Sequence, residues 1–222
     1  ELASHMEVTA VAPDLPGHGP EPSDDVTLEA AIRETVSLLR AREAPCPVLG
    51  YSQGGRIALH VALEAPDRVS RLVICSSSPG IADPEARARR EAEDEARAQR
   101  LEAEGLEAFL EHWSTLPLFS GLGSRDGSWR REDRRRRLTN TESGIAAALR
   151  GMGLAQQEDL LPRLGELQCP TLFLAGTRDE AYCHHALNMA EVTPQGAPVF
   201  IPGAGHCLVG KASEAVARVL KS

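Results

Sequence analysis

The sequence contains few aromatic residues and no long apolar run. Phe, Trp and Tyr make up 4% of its 222 residues, which leaves few flat side chains for stacking on nucleic-acid bases. The net charge of −8 also argues against general affinity for nucleic acid or anionic membranes. No apolar run reaches the length of a membrane span, and the polar start does not resemble a signal peptide. With 42% apolar residues, the chain is expected to bury one substantial core.

The cysteines and the His184-His185 pair lack the spacing of metal sites. Five cysteines are an odd number, and we interpret them as buried or near-surface thiols of a reducing compartment. They are Cys46, Cys75, Cys169, Cys183 and Cys207. The sequence therefore predicts a cytoplasmic protein with no metal and no cofactor.

One segment is typical of a catalytic serine, namely Gly50-Tyr51-Ser52-Gln53-Gly54-Gly55. It lies between the apolar residues 47–49 and a helical stretch, which is the strand, sharp turn and helix of the α/β-hydrolase nucleophile elbow. We expect Ser52 to adopt a strained backbone conformation at the helix N-terminus. A side chain at Gly50 or Gly54 is expected to crowd the neighbouring strand and helix.

Two later segments supply candidate partners for Ser52. Asp179 follows the apolar run 172–176, and His206 follows the apolar residues 199–201 and a glycine-rich turn. Ser, Asp, His is the chain order of α/β-hydrolases and differs from the orders in chymotrypsin and subtilisin. The sequence therefore predicts a triad in which His206 takes the proton of Ser52 and Asp179 holds the imidazole tautomer.

Strand and helix patterns alternate on both sides of an all-helical middle. Strands are predicted at residues 8–11, 47–49, 71–75, 171–175 and 198–201, and helices at 27–43, 57–63, 182–191 and 211–221. This alternation predicts an α/β fold of the α/β-hydrolase type, with a mostly parallel sheet and helices on both faces.

The middle region is predicted to be an inserted helical cap over residues 82–164, and residues 1–81 and 165–222 are predicted to form the core. Helices are expected at 82–104, 106–113, 130–138, 145–152 and 157–164. Such a cap excludes water and supplies substrate-binding residues. Its six clustered arginines are interpreted mostly as a solvated face, with one or two free to bind carboxylates. They are Arg130, Arg131, Arg134, Arg135, Arg136 and Arg137.

Several motifs together resemble one enzyme family across nearly the whole chain. They are Asp-Leu-Pro-Gly-His-Gly at 14–19, Gly-Tyr-Ser-x-Gly-Gly-Arg at 50–56, Ser-Ser-Pro-Gly-Ile at 77–81, Phe-Leu-x-x-Trp at 109–113, Pro-Leu-Phe at 117–119 and Gly-Leu-x-Gln-Gln-x-Asp-Leu at 153–160. The family is 2-succinyl-6-hydroxy-2,4-cyclohexadiene-1-carboxylate synthase of menaquinone biosynthesis. The resemblance implies a lyase that removes a proton from a succinyl-bearing cyclohexene substrate, so that pyruvate is eliminated.

The resemblance also implies roles for individual residues. Ser52 is the expected base, activated by His206 and Asp179. Arginines are expected to hold the carboxylates of a polycarboxylate substrate, and the matching positions are Arg56, Arg90 and Arg137. Tyr51 and Trp113 match aromatic positions of the pocket. A monomer or a homodimer is expected.

The chain departs from the family pattern at three places. The lysine that usually follows the acid is absent after Asp179, and Cys207 replaces the family's second histidine. At the front, family members have a strand and a His-Gly-x-x-Gly loop that supplies one oxyanion amide, and we expect both to be absent here. Residues 1–6 are either a cloning remnant or the end of a first helix. The backbone amide of Gln53 is the predicted remaining oxyanion donor.

Two alternatives stay open at this level. The same triad serves a serine hydrolase of an ester, thioester or carbon–carbon bond, in which Ser52 becomes acylated. A truncated, non-catalytic relic of the fold would instead serve in binding or assembly.

Overall fold

The computed structural model describes residues 2–116, 118 and 127–221. Two residues of the Pro-Leu-Phe motif and most of the glycine- and serine-containing loop at 120–128 lie outside the described residues. The helices are α1 (Leu2–Met6), α2 (Leu28–Arg40), α3 (Gln53–Glu64), α4 (Pro84–Glu104), α5 (Leu106–Thr115), α6 (Gly127–Arg137), α7 (Glu142–Gly151), α8 (Glu180–Val192), α9 (Leu208–Lys211) and α10 (Ser213–Lys221). The strands are β1 (Cys46–Tyr51), β2 (Val69–Cys75), β3 (Thr171–Gly176) and β4 (Gly196–Ile201).

The four strands form one parallel sheet in the order β1-β2-β3-β4. Side chains alternate between its two faces. On one face Val73 and Leu174 pack with Val216 of α10. Leu72 and Phe173 therefore point to the other face, and both are fully buried. Since parallel crossovers are right-handed, α3 and α8 lie together on that second face. The predicted parallel sheet flanked by helices is thus present.

The described chain divides into two compact units. The first contains residues 1–12, 34–79 and 160–222, and therefore the whole sheet. The second contains residues 13–33 and 80–159, and therefore α4 to α7.

Within the second unit, residues 13–33 contact the region around α7. The backbone amide of Gly19 donates to the Asn140 side chain at 2.8 Å. A Cβ atom built on Gly144 would lie 2.5 Å from the carbonyl oxygen of Gly17. These close backbone approaches attach the loop to the region around α7.

Helix α4 shows how the sequence builds the second unit. Asp83 caps its N-terminus by accepting from the Ala86 amide at 2.6 Å, Pro84 begins the helix, and Gly105 ends it with a φ of 82°. Its residues Ala98 and Leu101 are fully buried in a cluster with Phe109 of α5. The predicted helices at 82–104, 106–113, 130–138 and 145–152 are all present, with small shifts of their ends.

An ion-pair clamp joins α4 to α7. The Arg150 guanidinium donates to Glu95 and to Glu102, with Nε 2.7 Å from a Glu95 oxygen. These bonds raise the pKa of Arg150 above its usual range and lower the pKa values of both carboxyl groups.

Two predicted elements are wrong. Residues 8–11 form no strand, and Val8 and Val11 are 52% and 68% exposed. Residues 157–164 form no α-helix; the chain makes 3-10 turns at Leu154–Gln156 and Leu161–Glu166, the latter starting around Pro162. Gln157, Leu160 and Leu164 have the spacing of one helix face because all three are fully buried, although the segment is not an α-helix. The last predicted helix, at 211–221, is present as α10 and begins two residues later.

No helix among the described residues is long and apolar enough to cross a membrane.

Candidate active site

Ser52 occupies a strained turn between β1 and α3. Its φ of 50° and ψ of −113° are unusual for a residue with a side chain. The Ser52 amide donates to the Cys75 carbonyl oxygen at 2.9 Å, which continues the β1–β2 ladder into the turn. Although Ser52 is the N-cap of α3, its side chain makes no capping hydrogen bond. The hydroxyl is therefore not used to cap the helix and is left for other contacts.

The glycines of the elbow allow the strand and helix to approach closely. A Cβ atom on Gly50 would lie 2.3 Å from the Gly54 carbonyl oxygen, and one on Gly55 would lie 2.6 Å from the Ser77 Cβ atom. Gly54 was predicted to be equally crowded, but a Cβ atom there meets nothing within 4 Å. That part of the prediction is wrong. In the helix, Gly55 is the residue at which an added Cβ atom would clash.

Ser77 supports the turn from the end of the neighbouring strand, a role that the sequence did not indicate. Its hydroxyl donates to the Ser52 carbonyl oxygen at 2.8 Å, and the residue is 4% exposed. The only available signal was its place directly after β2, beside the elbow strand.

Ser52, His206 and Asp179 form one hydrogen-bonded chain. His206 Nδ1 lies 2.8 Å from Asp179 Oδ2, and His206 Nε2 lies 3.1 Å from Ser52 Oγ. The ionised carboxylate only accepts, so Nδ1 carries the proton and donates to Asp179. Nε2 is then free to accept from the Ser52 hydroxyl. This is the arrangement in which a serine can lose its proton to an imidazole.

The parallel sheet brings these three residues together because they follow the carboxyl ends of β1, β3 and β4. The Arg178 amide donates to the Ala204 carbonyl oxygen at 2.9 Å, which joins the two loops carrying the acid and the histidine. The side chains of His206 and Asp179 are only 2% and 11% exposed. Their hydrogen bond is therefore shielded from water, which strengthens it.

Two tyrosine rings flank the His206 ring. The Tyr51 ring centroid lies 5.6 Å away, and that of Tyr182 lies 4.4 Å away in an edge-on arrangement. Tyr51 was a predicted site residue. Tyr182 was not, although its position one helical turn after Asp179 could have indicated it.

Gln53 and Arg56 lie in the first turns of α3, in the same unit as the triad. Gln53 is the first residue of the helix, where backbone amides have no intrahelical partner; its oxyanion role stays a prediction. Arg56 is only 8% exposed, and its amide donates to the Ser52 carbonyl oxygen at 3.2 Å. Arginine is rarely so buried, so Arg56 is not an ordinary surface residue of the helix.

Arg90 belongs to the second unit, where a buried acid orients it. Its Nε donates to both carboxylate oxygens of Asp94, at 3.0 and 2.8 Å. The Asp94 side chain is 5% exposed and also accepts from Arg97 at 2.5 Å. The neighbouring Arg89 is 68% exposed and lies 3.8 Å from Glu85. Within its unit, Arg90 is therefore bound to a buried acid, whereas Arg89 lies near an exposed one.

Trp113 and Arg137 also belong to the second unit. Trp113 stacks on Phe109 at 5.5 Å, in the apolar cluster formed by the helices. Arg137 donates from Nε to Asp133 at 2.7 Å, and its side chain is 38% exposed. The structure gives both residues a packing or ion-pair role in their own unit, and their roles toward a substrate stay predictions.

The cysteines are free thiols. Burial raises the pKa of Cys75, at the end of β2, to about 12, so this thiol stays protonated and unreactive at neutral pH. Burial also raises the pKa values of Cys169 and Cys183. Within residues 2–116, 118 and 127–221, no group of three His, Cys, Asp or Glu side chains is placed to hold a metal ion.

The parallel sheet, the strained serine turn and the bonded Ser–His–Asp chain together define an α/β-hydrolase. Residues 1–219 match the alpha/beta hydrolase family, and the chain belongs to that family. The fold class predicted from the sequence is confirmed.

The relatives carry the more specific resemblance. A protein of Bacillus subtilis (strain 168) named for 2-succinyl-6-hydroxy-2,4-cyclohexadiene-1-carboxylate synthase is 36% identical over 159 residues, covering 72% of this chain and 58% of its own. The synthase of that name from Escherichia coli O1:K1 / APEC is 32% identical over 200 residues, which cover 87% of this chain and 74% of the relative. The structure of MenH from S. aureus has a TM-score of 0.88 at 32% identity. The match covers 94% of this chain and 80% of that one. The predicted family resemblance is confirmed.

Proposed function

We propose that this protein is a lyase that eliminates pyruvate from a succinyl-enolpyruvyl-cyclohexene carboxylate, and that the product is the 2-succinyl-6-hydroxy-2,4-cyclohexadiene-1-carboxylate for which its relatives are named. The observation that carries the proposal is the bonded Ser52–His206–Asp179 chain with buried Arg56 one helical turn beyond the serine. The planar guanidinium of arginine is suited to bind a carboxylate of such a substrate through two parallel hydrogen bonds.

The proposed reaction uses the serine as a base. Ser52 passes its proton to His206 Nε2, and the resulting alkoxide takes a proton from the carbon acid of the substrate. The C–H electron pair forms a new C=C bond, and the C–O bond to the enolpyruvyl group breaks. Pyruvate leaves as its enolate and takes up the proton held by His206, which returns the imidazole to its neutral form. The Asp179 carboxylate stabilises the imidazolium while it is charged, and the Gln53 amide is proposed to bind the developing oxyanion.

The remaining site roles follow from the same substrate. Arg90 and Arg137 are proposed to bind further carboxylates, and Tyr51 and Trp113 to contact the ring. The substrate is a free small molecule, so the protein is proposed to act in the cytoplasm as a monomer or homodimer, without a nucleic-acid or membrane partner and without a cofactor. Release of pyruvate that depends on Ser52 is the direct test.

The buried arginine of α3 gives the first prediction. Changing Arg56 to Ala is expected to raise KM for the carboxylated substrate about 10- to 100-fold, because a charge-assisted bidentate contact is lost. The value of kcat should change less. Arg56→Lys should recover only part of the affinity, since lysine lacks the planar fork. Steady-state pyruvate release measures all of these values.

Arg71→Ala is the matched control, because Arg71 lies on β2 of the same unit and is exposed. Its KM should equal that of the wild type. If Arg56→Ala and Arg71→Ala give the same KM, Arg56 does not bind substrate.

The acid behind Arg90 gives the second prediction. Changing Asp94 to Asn keeps the side-chain shape but removes the charge that fixes the Arg90 guanidinium. We expect KM to rise about five- to tenfold with kcat nearly unchanged. Glu93→Gln is the control, since Glu93 pairs with Arg97 and is 58% exposed. Equal KM values for the two variants would remove Arg90 from the proposed site.

A serine hydrolase is the second candidate function. The Ser52–His206 hydrogen bond is the arrangement that activates a serine for acylation as well as for proton abstraction. Turnover of simple aryl esters at rates above those of pyruvate release would favour it. The formed bond argues against a non-catalytic relic.

A further inference from the structure

Tyr182 lies between two histidine rings in the first unit. Its ring centroid is 4.4 Å from that of His206, with an interplanar angle of 60°. On another side it lies 5.6 Å from His185, at 67°. Both separations are within or just below the range of direct edge-on contact between rings. The three rings therefore form one contiguous group that ends at the imidazole of the triad.

The hydrogen bonds of His206 hold its ring only at the two nitrogen atoms. Nδ1 donates to Asp179, and Nε2 accepts from Ser52. A displacement of the ring that moves the lone pair of Nε2 out of line with the Ser52 hydroxyl weakens this second bond. Packing against the ring opposes such a displacement, and the Tyr182 ring lies nearer to His206 than the Tyr51 ring does.

Helix α8 explains why Tyr182 is well placed for this task. Asp179 is the N-cap of α8, and Tyr182 lies in its first turn. The amide of Cys183 donates to the Asp179 carbonyl oxygen at 2.9 Å, so this turn is regular. Residues three apart share a helix face. One helix start therefore presents both the carboxylate that binds Nδ1 and the ring that packs on the same imidazole.

His185 supports the contact without adding charge. Burial lowers the pKa of His185, and the neighbouring His184 lowers it further while Asp179 opposes both effects. Its ring is therefore neutral at neutral pH. A neutral ring behind Tyr182 does not repel the imidazolium that His206 becomes during turnover.

We propose that Tyr182 is a positioning residue for the triad, which holds the His206 ring in the orientation that accepts the Ser52 proton. The ring performs this role and the phenol hydroxyl does not. The inference rests on the catalytic role proposed for the triad, but not on the identity of the substrate.

The test is the rate at which a fluorophosphonate labels Ser52, because this reaction needs the imidazole and no carboxylate site. Changing Tyr182 to Ala is expected to lower the labelling rate about three- to tenfold, the range expected for one aromatic contact. Tyr182→Phe should keep the wild-type rate. Leu187→Ala is the control, since Leu187 lies on the same helix and is 46% exposed. Thermal melting of each variant shows whether α8 remains folded.

Each result decides one question. Slow labelling of Tyr182→Ala with normal labelling of Tyr182→Phe and an unchanged melting temperature supports the inference. Equal rates for Tyr182→Ala and the wild type overturn it, and so does a Phe variant as slow as the Ala variant, which would assign the effect to the hydroxyl. If the wild type is labelled no faster than Ser52→Ala, the triad proposal itself fails, and the positioning role fails with it.

Discussion

Replacing His206 with alanine is expected to lower kcat about 10⁴- to 10⁶-fold, the loss seen when the histidine of a serine triad is removed. The reason is geometric. Nε2 is the group within hydrogen-bond distance of Ser52 Oγ, at 3.1 Å, and the serine hydroxyl is a weak base without it. The hydrogen bond to Asp179 fixes the reactive tautomer of His206. A proton acceptor from solvent would lack this fixed alignment with Ser52.

His184→Ala is the matched control for this experiment, because His184 is an exposed histidine of the same unit. It should keep the wild-type kcat. The measurement is pyruvate release under saturating substrate, with thermal melting as a check on folding. A His206→Ala protein that retains one tenth of the wild-type kcat would contradict the proposed role of the imidazole.

Replacing Gly50 with alanine is expected to destabilise the protein by about 3 kcal/mol or more, a large value for one methyl group. The added Cβ atom would lie 2.3 Å from the Gly54 carbonyl oxygen and 2.6 Å from the Gly55 Cα atom. Both are backbone atoms, which cannot rotate away as the end of a long side chain can. The strand and helix of the elbow would have to separate, and Ser52 would lose its position.

Gly54→Ala is the companion change, because a Cβ atom there meets nothing within 4 Å. Alanine is a better helix former than glycine by roughly 1 kcal/mol, so this variant should be as stable as the wild type or slightly more stable. Denaturant unfolding measures both free energies. Equal stability of Gly50→Ala and Gly54→Ala would show that the close approach of β1 to α3 does not require glycine at position 50.

The elbow could be predicted from a local pattern in the sequence, and the triad from the order in which strands and loops follow one another. Glycines around Ser52 mark a sharp turn wherever a strand precedes and a helix follows. Asp179 and His206 could be placed because parallel strands end at one edge of a sheet, so residues distant in the chain meet there. The structure brings the three together as expected.

Other features could not be read from the sequence because they depend on packing between distant segments. Residues 8–11 have strand-forming valines, but a strand exists only where a neighbour completes the hydrogen-bond ladder. Gly54 and Gly55 are indistinguishable in sequence, and only the position of Ser77 shows which one is crowded. The spacing of Tyr182 from Asp179 indicates that both lie at the start of one helix, but the ring contact with His206 also depends on how α8 packs against the loop after β4.

Pyruvate release from the succinyl-enolpyruvyl-cyclohexene substrate, compared between the wild type and Ser52→Ala, tests the proposed lyase activity most directly. We expect the wild type to release pyruvate in proportion to the substrate consumed, and Ser52→Ala to be slower by at least about 10³-fold, because the base that removes the proton is missing. Folded wild-type protein that releases no pyruvate, or a Ser52→Ala variant that releases it at the wild-type rate, would contradict the proposal.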